Sequence, residues 1–199
     1  MHRYLRQAVY EGIPFHFSLH SVTDLPSEWN DTFSYAHQRL LVLALDKTLW
    51  RQAVNEIFRV LKPGGWIELV EMDFQSYQIG VGPYSSKLQS LILKMFPEKG
   101  YLLNLAENLL SILKNGFVNI QVEMRQVRVG GGEEAMECGY KSKEMATFVR
   151  ALKRDVMIGN GYGFVETEEE YEELVRGAEK EWNDHPCQGS LFVIVAQKP

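Results

Sequence analysis

Leu61–Val70 reads LKPGGWIELV, and within ten residues it turns the chain from one regular structure into another. Pro63 lacks an amide hydrogen and its ring clashes with a preceding helical turn, so a helix arriving from upstream stops there. Gly64 and Gly65 permit the positive φ values of a tight turn. Trp66–Val70 is then short and largely apolar, as a buried strand is. Upstream, Trp50, Ala53, Val54, Ile57, Phe58 and Leu61 recur at spacings of three and four, the stripe with which a helix packs on a sheet. Before that, FSYAHQRLLVLAL from Phe33 opens as a short strand and passes into a loop or helix start. Strand, helix and strand in this order predict a right-handed βαβ unit in a parallel sheet.

Two more helical stripes follow, Leu88/Leu91/Ile92/Met95 and Leu102/Leu105/Ala106/Leu109/Leu113, the second closed by Asn115-Gly116. Phe117–Val127 alternates apolar and polar residues, which predicts a strand with one covered face. The chain ends in LFVIVAQKP, an apolar run of strand length. Between these strands lie the Gly130–Gly132 triplet, a helical stripe through Met145, Phe148, Val149, Leu152 and Val156, and the acidic run Glu166–Glu173. The acidic run predicts a helix with Thr167 as its N-cap and Glu170 completing a capping box, its inner face carrying Tyr171, Leu174, Val175, Ala178 and Trp182. Two early parallel strands, helices, and two late strands able to pair antiparallel predict an open α/β sheet.

With 199 residues and 45% apolar composition the chain can bury an ordinary core, and its length predicts one domain over residues 1–199. A formal charge of -5 and a pI near 5.6, with scattered Lys and Arg, offer no field for phosphate backbones, which excludes nucleic acid as the expected partner. Cys138 and Cys187 stand far apart without metal-ligand spacing, so neither a disulfide framework nor a metal site is expected. His16, Ser18 and His20 would share one strand face, and no Cys or carboxylate joins them. MHRYLRQAVYEG at the start has no apolar signal core, and no apolar run approaches a bilayer span. A cytoplasmic or nuclear protein without membrane contact is the expectation.

In open α/β sheets ligands bind beyond the carboxyl ends of the parallel strands, which here means His37-Gln38-Arg39 and Glu71-Met72-Asp73. His37 is the candidate general base for a hydroxyl nucleophile, and Arg39 the candidate carboxylate binder. The alternative is that both merely finish the strand. Glu71 and Asp73, two apart on an extended strand end, face the same side and could orient a substrate or share a proton; solvated loop acids are the other reading. Met72, Phe74 and Tyr162, the last in the flexible GNGYGF stretch at Gly159–Phe164, are the candidate substrate contacts, while Trp66 reads as packing.

FHFSLHSVTDLP, FSYAHQRLL, EIFRVLKPGGWIELVEMDF and the terminal FVIVAQKP together resemble class I S-adenosylmethionine (SAM)-dependent methyltransferases of fungal secondary metabolism, from about Pro14 to the C-terminus. The resemblance implies the C-terminal half of a partial Rossmann-like methyltransferase sheet with helices on both faces. By resemblance, His20–Pro26 borders the adenine of SAM, with Ser21 where an acid commonly stands and Val22 beside it. Ser34 takes the place of the usual aspartate of the next strand. Ser21, Val22, His37, Gln38 and Arg39 are thereby the candidate SAM contacts. The family's GxGxG-like turn and ribose-binding acid have no counterpart in MHRYLRQAVYEGIP, so the first two strands are expected to be missing. Without the family's central strand the Phe33 strand keeps a bare edge, which predicts a homodimer or a partner subunit. The implied activity is methyl transfer from SAM to a small molecule, on oxygen first and otherwise on carbon or nitrogen. The alternatives are a cofactor-independent cyclase or isomerase, or a non-catalytic truncated partner subunit.

Overall fold

The computed structural model describes residues 16–131 and 139–199. Expectations resting on residues 1–15, on Gly132 and on Cys138 lie outside the described residues. Strands β1 (Phe33–Arg39), β2 (Leu61–Met72), β3 (Val118–Val129), β4 (Gly139–Tyr140) and β5 (Cys187–Gln197) form one mixed sheet in the order β1-β2-β5-β3-β4. β1 runs parallel to β2 across helix α1 (Lys47–Val60), as the crossover pattern predicts. β5 lies antiparallel between β2 and β3, so the two late strands are indeed neighbours, and β4 runs parallel with the outer end of β3. The chain is thus a mixed α/β fold. Among the described residues β1 has a strand on one side only.

The LKPGG segment departs from its expected role in detail. The helix stops at Val60, where the Leu61 amide still bonds to the Ile57 carbonyl, and the strand begins at Leu61 itself. Phe33 faces Leu61 but Tyr35 faces Trp66, so KPGG buckles out as an irregularity within β2 rather than a separate turn. Gly64 takes φ +80, as expected. Gly65 does not: it is needed because a Cβ there would lie 2.9 Å from the Lys62 carbonyl oxygen and 3.2 Å from those of Phe33 and Ser34. At its other end α1 is capped by Asp46, whose carboxylate accepts the Thr48 and Leu49 amides at 2.8 Å.

Helices α2 (Pro83–Glu98), α3 (Leu105–Leu113), α4 (Ser142–Ala151), α5 (Lys153–Ile158) and α6 (Glu168–Asp184) complete the fold. The stripe from Met145 to Val156 is two helices, broken at Leu152, not one. Thr167 caps α6 as predicted, its Oγ1 accepting the Glu170 amide at 3.1 Å. The Glu170 carboxylate reaches the Glu166 amide rather than that of Thr167, so the reciprocal bond lands one residue early. Residues 16–20 form no strand and are exposed, and among the described residues no group of three metal-ligand side chains occurs. No helix among them is long and apolar enough to cross a membrane.

The strand register sorts the side chains onto two faces. Ile67, Leu69, Phe192, Ile194 and Ala196 are fully buried on the face that α1 and α3 approach at β2. Tyr35, His37, Arg39, Trp66, Glu68 and Val70 share the other face, which is half-buried or exposed along most of its length. At the carboxyl end of β2 this second face carries Met72, and a cavity lies there between it and α4.

Candidate functional site

A cavity of about 480 Å³ opens where β1 and β2 end. The loop after β1 lines it with Leu40, Val42 and Leu43, β2 with Met72, β4 with Gly139 and Tyr140, and α4 with Glu144, Met145 and Phe148. An apolar enclosure with a few polar groups, beyond the carboxyl ends of parallel strands, is the arrangement of a small-molecule site.

The loop that makes one wall is held by a buried carboxylate. Glu71 is fully buried, and its Oε1 accepts the Leu41 amide at 2.9 Å while its Oε2 accepts the Val42 amide at 3.1 Å. The Gln38 side-chain amide also donates to it. Burial raises its pKa to about 7, although these hydrogen bonds pull the other way. Leu40 sits at φ +57, a left-handed conformation that leucine adopts only when its surroundings impose it. Its amide bonds to the Val70 carbonyl at 3.0 Å, and the Glu71 bonds to the next two residues complete the hold.

The candidates read from the sequence scatter around this cavity. Met72 lines it. Glu71 turns to the backbone amides of the loop after β1, whereas Asp73 lies just beyond the end of β2 at Met72. Asp73 is half-buried, its pKa raised mainly by burial while the Gln75 amide and Ser76 lower it. Phe74 stands behind the wall, stacked on Phe148 at 6.0 Å and tilted against Phe96 at 4.6 Å. Tyr162 is buried elsewhere: its ring fills the space where a Cβ on Gly159 would be, and its carbonyl accepts from Lys94 at 2.8 Å. His37 is exposed on the open sheet face, its Nδ1 3.0 Å from a Glu68 oxygen, and Arg39 lies exposed on the same face. Leu40, Leu43, Tyr140, Glu144 and Phe148 were not legible as site residues. Only the Met145 stripe marked α4, and a stripe reports packing without telling a core from a cavity wall.

The five candidate SAM contacts do not converge on one cradle. Ser21 bonds its own turn, its Oγ 2.7 Å from Thr23 Oγ1, and Val22 packs on the core. The preceding His20 meets Trp29 edge to face, and Trp29 meets Phe33 in the same way, which ties this segment to the start of β1. His37, Gln38 and Arg39 lie at the other end of the strand, about 13–20 Å from Phe33 by strand geometry. Gln38 moreover faces the opposite side from its two neighbours and is engaged by Glu71. As placed, these five residues do not fit SAM as one set of contacts.

No family profile matches the chain. It is 25% identical over 134 residues to the N-methyltransferase gliN of Aspergillus fumigatus, covering 64% of this chain and 48% of that protein. It is 27% identical over 146 residues to the N-methyltransferase verN of Clonostachys rogersoniana, covering 73% and 47% respectively. The chain therefore spans about half the length of the curated relatives it matches. Among solved structures it is similar to a SAM-dependent methyltransferase of Methanosarcina mazei, with a TM-score of 0.44, 16% identity, and coverage of 92% of this chain and 66% of that one.

Proposed function

Because the chain is related to the class I SAM-dependent methyltransferases, we propose that it serves small-molecule methylation by holding the methyl acceptor in the cavity beyond β1 and β2. The observation that carries this reading is the cavity itself, apolar, roofed by α4, and walled by a loop that a buried carboxylate holds in a strained conformation. Nitrogen replaces oxygen as the acceptor atom in this reading, because gliN and verN are both N-methyltransferases. The chain's own residues supply positioning, which can contribute several kcal/mol to a bimolecular reaction.

Two titrations test the reading. A small aromatic amine such as N-methylaniline is expected to bind the full chain without SAM, and Leu43→Trp, which fills the cavity, is expected to weaken it at least about tenfold. Equal binding by the variant would remove the cavity from the function. SAM titrated alone is expected to give no saturable heat. Tight, saturable SAM binding would overturn the acceptor-holding reading in favour of a complete enzyme.

A further inference from the structure

A phenol that lines the cavity and a second one close to it have hydroxyls without a hydrogen-bond partner among the described residues. Tyr140 lines the cavity, and its buried Oη has no hydrogen-bond partner among the described residues. Tyr77 is 2% exposed, and its Oη is also buried and without a partner. A buried polar group left unpaired costs about 1–3 kcal/mol, so such a pair persists where something beyond the described residues, such as a ligand in the cavity, satisfies it.

The sheet register puts both on one surface. Tyr140 pairs with Val129, Val129 with Cys187, and Val127 with Gly189, so Tyr140, Cys187 and Gly189 follow one another on the same sheet face. Met72 pairs with Leu191 on that face and forms the cavity wall. The hydroxyl end of Tyr77 rests on Gly189, where a Cβ would come within 2.2 Å of Tyr77 Cζ. Glycine at this position is thus the seat that lets the phenol lie flat toward Tyr140. Burial raises the pKa of Tyr77, with Tyr140 and then Cys187 adding to the rise, and burial likewise lifts the Cys187 thiol to about 11. Tyr77 and Cys187 therefore keep their protons at neutral pH. A protonated phenol is a donor, and the rest of this wall is apolar apart from Glu144, which is exposed and accepts the Lys141 amide.

We propose that the cavity selects an apolar ligand bearing a carbonyl-type hydrogen-bond acceptor, received by the hydroxyl of Tyr140 and, beside it, that of Tyr77. This rests on the reading of the cavity as the acceptor site and adds what the acceptor must carry. A site whose buried donors need a partner discriminates strongly against a ligand that lacks one.

The test is isothermal titration of the full chain with 1-tetralone and with tetralin, which share a shape and differ in the carbonyl. The ketone is expected to bind about tenfold more tightly than the hydrocarbon. Tyr140→Phe, which keeps the ring, is expected to erase that preference while leaving tetralin unchanged, and Tyr77→Phe to narrow it. Equal affinities in the unmodified protein, or an unaltered ratio in Tyr140→Phe, would overturn the proposal while sparing the cavity. Failure of both probes to bind would overturn the cavity reading and this proposal with it.

Discussion

Glu71 accepts three hydrogen bonds from within the protein, yet burial pushes its carboxyl up from the ordinary 4.5 to about 7 because desolvation outweighs them. A raised folded-state value means that the folded protein binds the proton more tightly than the unfolded chain does. The contribution is therefore complete below pH 4.5 and disappears as pH rises through about 7. Glu71→Gln removes this dependence and turns an amide group toward the Leu41 and Val42 donors. Urea unfolding at pH 5 is expected to show a loss of about 1–3 kcal/mol in the variant. The gap between the two proteins should shrink toward pH 7, and a constant gap over that range would contradict the assignment. The spacing of Glu71 and Asp73 predicts a shared side on an extended strand, but β2 ends at Met72, before Asp73. What Glu71 faces depends on where the chain goes after Arg39, and spacing carries no information about it.

Helices α2 and α6 are joined through a cap that neither supplies for itself. Gly82, at the N-cap of α2, has no side chain, and Glu181 of α6 fills the place, accepting the Tyr84 amide at 3.0 Å and the Ser85 amide at 2.7 Å. Ser85 Oγ donates to the same carboxylate at 2.6 Å. Burial pushes the Glu181 carboxyl up, but the Ser85 and Tyr84 bonds and nearby His185 together leave it below 4.5. The sign is thus opposite to that of Glu71: its stabilisation is present above pH 4.5 and is lost as pH falls through the lowered value. Glu181→Gln is expected to cost about 1–3 kcal/mol at pH 7, read from thermal or urea unfolding, and little once the pH is well below 4. The Thr167 cap was legible because its partner is three residues away, whereas Glu181 and Ser85 lie 96 residues apart.

At the scale of the molecule the sheet sets the order of protection. β5 has β2 and β3 on its two sides, while β1 has only β2 among the described residues. Native-state hydrogen exchange is expected to show β5 amides exchanging at least about tenfold more slowly than the outward-facing amides of β1. Equal protection would mean that the outer edge of β1 is covered. The sequence by itself determined the main helices and their inner faces: the α1 stripe Trp50, Ala53, Val54 and Ile57 and the α6 stripe from Tyr171 to Trp182 are buried as their periodicity requires, whereas β3 leaves Val118, Val122 and Met124 of its alternating run exposed instead of covered. It also determined the parallel β1–β2 crossover, because each of these signals lies within a few residues of its cause. Tertiary structure alone decided that KPGG buckles inside a strand, that the Met145 stripe breaks at Leu152, and that β4 and α4 close a cavity over Met72. It also decided which carboxylates serve the backbone and which hydroxyls are left without a partner. Those outcomes depend on contacts between segments far apart in the chain, and local periodicity does not encode them.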